Sequence, residues 1–388
     1  MYTKEVVMNI LITVATYFPL KDGVQKVTQY QAENLVKLGH NVFVITSNCG
    51  GKFKDKEKIN GVNIYRVDAT NKNMLHFGDY QQYKKRVYDI IERENIDVMM
   101  NVCLESFSAD WVLKFISNLK CKKILMMHSM HDFRWNKNDF SSFSNFTKKI
   151  LRDIRWGIFY KSNINKIKKY DAYIHLHEDD YSLNFFKKYK IDNNYIIYNA
   201  ADDVFFENNV IKKNMIINVG SYNSRKNQKG VMKIFYEAST KDYELVLIGN
   251  PSNKYYDDLI KLKKTFDKKF EEKKVTILCN IDRKTTIDYL KKSSIYLSAS
   301  TWEGFPISIV ESMAAGGTFI STDVGILNKI PGGVVSDDYN KLVDYLSEFC
   351  NNGYKENSLI AKEYASNNFV QIKQVKKLEK VMKKVLEE

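Results

Sequence analysis

The stretch that decides the fold, residues 300–316, reads STWEGFPISIVESMAAG. It follows an apolar run at 295–299, which is typical of a buried strand. Gly304 and Pro306 end that strand, and apolar residues at helical spacing begin at Ser308. The stretch therefore predicts a strand, a tight loop and a helix. The first N–H groups of such a helix favour an anion above the loop.

Two carboxylates flank the predicted loop. Glu303 precedes it, and Glu311 lies one turn into the predicted helix. Ser308 and Glu311 have the spacing of a capping box, so Glu311 has either a capping or a binding function. Glu303 has no capping position beside it, which makes it the stronger candidate for a carboxylate that binds a ligand.

Length and composition indicate two globular domains. The chain has 388 residues, of which 44% are hydrophobic, and this suffices for two cores. The five cysteines are scattered without a Cys-x-x-Cys pair, so we expect reduced thiols and neither a disulfide frame nor a zinc site. Residues 1–10 lack a long apolar run, and no run approaches the ~20 residues that span a bilayer. We therefore expect a cytoplasmic protein.

The net charge of +14 favours anionic partners such as nucleotides, phosphates, acidic lipids or nucleic acid. Binding of nucleic acid would need exposed aromatic residues within a basic stripe. The aromatic residues here fall mostly in core-like positions, so we expect no nucleic-acid partner.

Strands and helices alternate along both halves. In the first half the predicted strands are 9–14, 42–46, 64–67, 98–102, 124–127, 173–176 and 195–198, with a turn at 19–23 and helices at 24–38, 80–93 and 107–119. In the second half the predicted strands are 215–219, 244–248, 275–278, 295–299 and 318–321, with helices at 229–239, 255–270, 285–292 and through most of 339–388.

This alternation predicts an α/β fold with two Rossmann-like, doubly wound parallel sheets. A polar, irregular segment at 199–213 separates them. We expect an N-terminal acceptor-side domain at 1–200 and a C-terminal donor-binding domain at 201–370. Residues 371–388 are expected to form a C-terminal helix, for which packing on the N-terminal domain is left open.

Residues 146–170 carry eight cations and one acid, interleaved with apolar residues. One interpretation is a basic amphipathic helix that lies on an anionic membrane surface. The other is a surface helix with a solvated basic face and apolar residues packed on the sheet.

Ligands of parallel α/β sheets bind beyond the carboxyl ends of the strands. In the first half, Gly23 and His128 follow predicted strands at that edge. In the second half, residues 220–230 place Arg225 and Lys226 between a strand and a helix. Cations and free N–H groups there suit a diphosphate, whereas cations at a helix start are otherwise mildly unfavourable.

Glu303 and Glu311, seven residues apart in EGFPISIVESMAAG, resemble the EX7E motif of family-four retaining glycosyltransferases with the GT-B fold. The resemblance covers nearly the whole chain. It also rests on segments 22–24, 39–42, 219–220 with 226–227, and 322–325. It implies two Rossmann-like domains that face each other across a cleft.

In the second half, the resemblance implies that Glu311 holds the donor ribose and Glu303 contacts the donor sugar. The backbone around Pro306 would lie along the sugar and the diphosphate, and Lys226 would neutralise the leaving group. The full set of implied donor-binding residues in this half is Gly220, Ser221, Arg225, Lys226, Asn280, Ile281, Glu303, Gly304, Phe305, Pro306, Ile307 and Glu311.

In the first half, Gly23 and Val24 would approach the phosphate, and His128 would lie near the sugar and the acceptor. The implied catalytic residues are Glu303, Lys226 and His128. One departure from the family pattern is Ser221, where the family has arginine after the loop glycine. Either Arg225 supplies the missing charge, or the protein binds a nucleotide-sugar with little or no turnover.

The resemblance implies a metal-independent retaining hexosyltransferase that needs no cofactor and uses a nucleotide-sugar, with a UDP-sugar favoured. The sequence has no Asp-x-Asp metal motif, no Gly-x-Gly-x-x-Gly and no Gly-Lys-Ser/Thr loop. We expect a glycan or lipid-linked acceptor in bacterial surface polysaccharide synthesis. The expected location is cytoplasmic, with peripheral binding at the inner face of the plasma membrane as an option.

Overall fold

The structure, a computed structural model, describes residues 6–20, 22–135, 137–140, 142–207 and 210–388. Residues 1–5, Lys21 in the predicted turn, and residues 208–209 in the predicted boundary segment lie outside the described part. The chain forms two compact units. Unit 1 comprises residues 1–197 and 375–388, and unit 2 comprises residues 198–374.

Unit 1 contains ten strands and five α-helices among its described residues up to 197. The strands are β1 (Asn9–Thr13), β2 (Asn41–Ser47), β3 (Lys56–Ile59), β4 (Val62–Val67), β5 (Ala69–Lys72), β6 (Leu75–Gly78), β7 (Val98–Val102), β8 (Lys122–Met126), β9 (Ala172–His175) and β10 (Asn194–Ile196). The helices are α1 (Gly23–Lys37), α2 (Tyr80–Arg93), α3 (Phe107–Asp110), α4 (Phe143–Ile167) and α5 (Tyr181–Lys188).

Eight of these strands form one sheet in the order β10-β9-β8-β7-β1-β2-β4-β3. Only the β3–β4 hairpin is antiparallel within it, and β5 and β6 form a separate antiparallel hairpin. In the central strand β1, Ile10, Leu11 and Ile12 are fully buried. Burial of consecutive residues shows that both faces of the sheet are covered, as a parallel sheet requires.

The helical stretch predicted near 107–119 is confirmed only in part. Only α3 is α-helical, and two 3₁₀ turns follow it at Val112–Lys114 and Ile116–Asn118. The exposed positions of this segment are Lys114, Ser117 and Asn118. Because nearly all the other side chains of this segment are buried, it lacks the polar stripe that a longer surface helix would present.

The described part of unit 2 continues the same pattern. Its strands are β11 (Met215–Val219), β12 (Glu244–Gly249), β13 (Val275–Cys279), β14 (Ile295–Ser298), β15 (Thr318–Ser321) and β16 (Gly333–Val335). Its helices are α6 (Gln228–Glu237), α7 (Lys254–Lys269), α8 (Arg283–Lys292), α9 (Ile307–Ala314), α10 (Tyr339–Asn352) and α11 (Lys355–Asn368). A last helix, α12 (Gln371–Glu387), begins in unit 2 and ends in unit 1.

All six strands of unit 2 are parallel, in the order β13-β12-β11-β14-β15-β16. The chain proceeds from β11 outward to β13 and then returns to β14 on the other side of β11. Strand order therefore reverses between β11 and β14. Loops that follow the strands at such a switch point line the crevice in which ligands bind.

Side-chain contacts join the end of α12 to the rest of unit 1. Glu379 Oε1 lies 3.2 Å from His40 Nε2. Lys384 Nζ lies 5.4 Å from the centre of the Tyr195 ring. These contacts explain why residues 375–388 group with unit 1 although they follow unit 2 in sequence.

Candidate functional site

The two loops at the switch point of unit 2 are fixed by one buried tyrosine. The Tyr296 hydroxyl accepts a hydrogen bond from the Val219 N–H at 3.0 Å. It also lies 2.8 Å from the Val219 carbonyl oxygen and 2.7 Å from Ser308 Oγ. Burial raises the pKa of Tyr296, so the hydroxyl keeps its proton. The end of β11 and the start of α9 therefore share one hydrogen-bond centre.

An ion pair joins the same two loops. Lys226 Nζ lies 2.6 Å from Glu303 Oε1, and both side chains are mostly buried. Gly220 leaves room for this lysine, because a Cβ at Gly220 would lie 3.2 Å from Lys226 Cδ and Cε. The structure thus brings Gly220 and Lys226 of the 220–230 loop together with Glu303, which the sequence placed in a separate motif.

Backbone contacts close the loops further. The Thr301 N–H donates to the Arg225 carbonyl at 2.8 Å, and Asn227 Nδ2 donates to the Ala299 carbonyl at 3.1 Å. The Arg225 guanidinium lies over the Trp302 ring, 5.6 Å from its centre. Ser221 is exposed, and its carbonyl accepts from Gln228 Nε2 at 3.1 Å.

Helix α9 begins at Ile307, and Pro306 occupies its N-cap without a side-chain cap bond. Ser308 is therefore the second helical residue, so it does not hold the N-cap position that a capping box requires. Phe305 is buried, with its ring 6.0 Å from that of Tyr198 and 5.7 Å from that of Phe369. This aromatic packing anchors the loop between Glu303 and the helix.

Gly325 supports the loop from the neighbouring strand end. It has a φ of +61°, and a Cβ there would lie 2.9 Å from the Gly304 carbonyl oxygen. Only glycine adopts this backbone at such a close approach without strain. Gly325 therefore allows the Gly304 carbonyl to approach the backbone that follows β15.

Glu311 is paired with an arginine that the sequence analysis did not single out. Arg283 donates to both carboxylate oxygens, at 2.6 Å and 3.2 Å. The Glu311 side chain is 3% exposed, whereas the Arg283 side chain is 38% exposed and lies 5.3 Å from the centre of the Phe205 ring. Arg283 starts helix α8, and a cation at a helix start was the available signal.

Asn280 and Ile281 follow β13 at the same carboxyl edge of the unit 2 sheet. Asn280 has a φ of +56°, and its N–H donates to Asn250 Oδ1 at 2.7 Å. Asp282 caps α8 by accepting from the Thr285 N–H at 2.7 Å. The structure places Asn280 two strands away from β11, the strand that leads to Lys226.

The predicted site residues of unit 1 lie at the carboxyl edge of its own sheet. Gly23 and Val24 open α1, and a Cβ at Gly23 would meet no atom within 4 Å. His128 follows β8 and is buried, with no hydrogen-bond partner for Nε2 among the described residues. Burial lowers the pKa of His128 to about 4, against the opposing effect of Asp180 and Asp22, so its imidazole is neutral near pH 7.

Sequence analysis missed a second titratable residue at this edge. Glu105 follows β7 and has a φ of +66°. Its Oε1 accepts from the His131 N–H at 2.6 Å and from the Tyr160 hydroxyl at 2.9 Å. Burial raises the pKa of Glu105 to about 7. Glu105 belongs to none of the motifs named in the sequence analysis, so no sequence signal indicated a buried, titratable carboxyl at this position.

The described residues contain neither a metal-binding cluster nor a membrane-spanning helix. No group of three or more histidine, cysteine, aspartate or glutamate side chains in this part of the chain is placed to hold a metal ion. No helix in the same part is long and apolar enough to cross a membrane.

Two family models match the chain. The model for glycosyl transferases group 1 matches residues 201–365, and the model for glycosyltransferase family 4 matches residues 21–204. The chain belongs to the family-four glycosyltransferases. The predicted family is thus confirmed, and with it the glycosyltransferase class of the protein.

Solved structures of the same architecture cover both units. Sucrose-phosphate synthase from Thermosynechococcus elongatus is 13% identical, with a TM-score of 0.75 over 97% of this chain and 99% of that one. A glycosyltransferase from Rickettsia africae is 17% identical, with a TM-score of 0.68 over 98% and 99%. Anabaena HepE, in complex with UDP and glucose, is 12% identical, with a TM-score of 0.67 over 97% and 100%.

These similarities confirm the GT-B glycosyltransferase fold with two parallel-sheet domains. The comparison with curated proteins gave no match.

Proposed function

We propose that this glycosyltransferase is a metal-independent, retaining hexosyltransferase with a nucleotide-sugar donor, of which a UDP-sugar is favoured. The observation that carries the proposal is the Lys226–Glu303 ion pair, 2.6 Å long, at the switch point of the unit 2 sheet. Glu311, which pairs with Arg283 of α8, lies on the helix that follows Glu303, where the family motif assigns ribose binding.

Lys226 suits the leaving group. A lysine ammonium has three donors, so Lys226 can keep its contact with Glu303 and still donate to a diphosphate. Because its position is fixed before the donor arrives, it stabilises developing negative charge without reorganisation. The bond between the anomeric carbon and the phosphate oxygen breaks. The acceptor oxygen bonds to the anomeric carbon from the same face, and its proton passes to the departing phosphate oxygen.

Glu303 suits the donor sugar. Its carboxylate has about four lone-pair sites, and Lys226 approaches Oε1 as an ion-pair partner without the geometry of a hydrogen bond, which leaves acceptor capacity for sugar hydroxyl groups. A carboxylate near the anomeric carbon also stabilises positive charge that develops on the ring. We propose that His128 contacts the sugar and the acceptor. Its imidazole is neutral near pH 7, so it can donate or accept a hydrogen bond there without adding a charge.

The alternative is a nucleotide-sugar binding protein with little or no turnover. Ser221 favours it, because the family has arginine at that position. Arg225 lies in the same loop, but its guanidinium is stacked on Trp302. For Arg225 to replace the missing charge, this stacking contact has to be exchanged for one with the diphosphate.

Hydrolysis of the donor in the absence of an acceptor tests the proposal. Wild type and the variants Glu303→Ala and Glu311→Ala are incubated with UDP-, GDP- and ADP-sugars, and release of nucleotide is measured. We expect slow hydrolysis of one UDP-sugar, lost in both variants. Thermal stabilisation by a nucleotide without hydrolysis, and without transfer to any glycan or lipid acceptor, would support the binding-protein alternative.

For the acceptor, we propose a glycan or a lipid-linked glycan, in the synthesis of a bacterial surface polysaccharide. The proposed location is the cytoplasm, with peripheral contact at the inner face of the plasma membrane through residues 146–170. The support is the basic, partly apolar character of that segment and the net charge of +14.

A further inference from the structure

Helix α4 of unit 1 carries a second apolar face. Trp156, Tyr160 and Ile167 are buried. Leu151, Ile154 and Ile158 lie on another face, three and four residues apart, and are 63%, 55% and 62% exposed. The interpretation in which the apolar residues of α4 pack on the sheet therefore accounts for only one of its two apolar faces.

Exposed aromatic residues continue this face at the start of α4. Phe143 is 83% exposed and lies two turns before Leu151 on the same side. Trp135 and Phe140 are also exposed, with ring centres 5.2 Å apart, and both rings contact Phe146 of α4. Tryptophan and phenylalanine side chains that are exposed on one side and packed on the other are typical of residues at a membrane–water boundary.

The β5–β6 hairpin adds a third part. Met74 and Leu75 near its turn and Phe77 within β6 are large, apolar and exposed. The guanidinium of Arg155, on α4, donates to the Met74 carbonyl, which holds the hairpin against the helix. We call these three parts together the apolar platform, formed by Met74, Leu75, Phe77, Trp135, Phe140, Phe143, Leu151, Ile154 and Ile158.

Cations surround the platform. Lys148, Arg152 and Lys161 on α4 are exposed. The single acid of the helix, Asp153, lies 2.6 Å from Lys149 Nζ and 2.6 Å from His131 Nε2. Its negative charge is therefore compensated by groups of the protein itself. The charge that α4 presents to solvent is therefore positive.

We propose that the apolar platform docks on an anionic lipid bilayer. Large apolar side chains interleaved with lysine and arginine match a surface that offers hydrocarbon beneath a layer of anionic headgroups. A second copy of this chain is a poorer match, because the cores of protein–protein interfaces are depleted in lysine. Platforms on two copies would also bring like charges together.

The proposal deepens the acceptor part of the proposed function. It rests on that function only for the consequence that the acceptor is presented by the membrane. Docking itself depends on the platform and on no residue of the donor site.

Sedimentation with vesicles tests the proposal. The full chain is mixed with vesicles of phosphatidylcholine and phosphatidylglycerol, or of phosphatidylcholine alone, at moderate salt. We expect binding to the mixed vesicles and at least tenfold weaker partitioning to phosphatidylcholine alone. In a triple variant, Leu151→Ser, Ile154→Ser and Ile158→Ser, partitioning to the mixed vesicles is expected to fall at least tenfold.

Two further variants complete the design. The charge variant Lys148→Gln, Arg152→Gln and Lys161→Gln is expected to lose the preference for anionic vesicles. The matched control, Ile211→Ser with Leu359→Ser, removes apolar side chains that are 87% and 70% exposed but lie in unit 2, and is expected to bind like wild type. Melting temperatures confirm that each variant is folded.

The proposal is overturned if wild type ignores mixed vesicles or if the triple variant binds them like wild type. It is also overturned if the platform mediates dimerisation, seen by light scattering and abolished in the triple variant, without vesicle binding. Donor hydrolysis is measured in parallel. Vesicle binding without hydrolysis would contradict the proposed function alone, and hydrolysis without vesicle binding would contradict the platform alone.

Discussion

Lys226 Nζ and Glu303 Oε1, from loops that follow two different strands, lie 2.6 Å apart. The pair is mostly buried, so removal of either charge leaves the other without compensation in a place that water reaches poorly. The contact therefore defines both the geometry and the charge of the site before a donor binds.

Lys226→Met is expected to lower the kcat of donor hydrolysis by about 10²–10³-fold, because a preorganised charge next to the leaving group is lost. Steady-state kinetics with the preferred donor give kcat and KM. Lys229→Met is the matched control, since Lys229 belongs to the same loop-to-helix segment but pairs with Asp258 at 2.9 Å. An equal loss of kcat in both variants would show that the positive charge of this segment, and not the position of Lys226, determines the rate.

Arg283 is expected to position Glu311 for the ribose. Arg283→Gln leaves a carboxylate that is 3% exposed without its bidentate partner, so we expect weaker UDP binding and a smaller preference for UDP over 2′-deoxy-UDP. Calorimetric titration with both nucleotides measures this preference. Arg283→Lys is expected to recover part of it. If Arg283→Gln weakens both nucleotides equally, Arg283 supports the fold and not ribose recognition.

His128 is expected to make the folded state sensitive to acid. Its pKa is lowered to about 4 in the folded state, so its contribution to stability is complete above pH 6.5 and is lost as the pH falls towards 4. The size of that loss is about 3 kcal/mol at 1.36 kcal/mol for each pKa unit. Melting temperatures of wild type and His128→Asn from pH 4 to 7 measure it. Parallel curves for the two proteins would contradict the buried, neutral imidazole.

Glu105 is expected to lower the stability of the folded state as the pH rises. Its pKa is raised to about 7, so its contribution is complete below pH 4.5 and is lost as the pH rises towards 7. Glu105→Gln keeps the hydrogen-bond acceptor for the His131 N–H and the Tyr160 hydroxyl without a charge. We therefore expect Glu105→Gln to gain melting temperature relative to wild type at pH 7 but not at pH 4.5. A gain that does not change with pH would refute a titrating carboxyl.

Gly325→Ala is expected to disturb the donor loop. The new Cβ would lie 2.9 Å from the Gly304 carbonyl oxygen at a φ of +61°, so strain of about 1–3 kcal/mol is expected in the folded state. Donor hydrolysis and the melting temperature should both fall. Gly157→Ala, whose Cβ would lie 3.9 Å from Phe133 Cε1 inside helix α4, is the control and should leave donor hydrolysis unchanged without lowering the melting temperature.

Buried strands were predicted well because an apolar run between breakers is a local signal. Strand β7 has the predicted bounds, 98–102, and the loop and helix after β14 follow from Gly304 and Pro306. The Lys226–Glu303 pair was predicted only as two motifs, since their contact depends on strand order. Arg283 with Glu311, 28 residues apart, and the β5–β6 hairpin depend on tertiary pairing that no local pattern encodes.

The exposed apolar face of α4 could not be identified from the sequence. Its apolar residues recur on two faces of one helix, and periodicity alone does not show which face meets the sheet. Packing around Trp156 decides this in the structure. The outer face, from Phe143 to Ile158, became evident only when the exposure of each side chain was known.

The Tyr296 hydroxyl accepts a hydrogen bond from the end of β11 and lies within hydrogen-bond distance of Ser308 of α9. It therefore restricts the motion of the two loops that these residues begin and end. Two loops that share one buried hydrogen-bond centre lose little conformational entropy when a donor arrives, because they are already ordered. The free energy of the donor contacts then appears as affinity. In hydrogen exchange, the amide protons of Val219 and Thr301 should be slow before and after nucleotide binding alike, unlike those of a site that folds around its ligand.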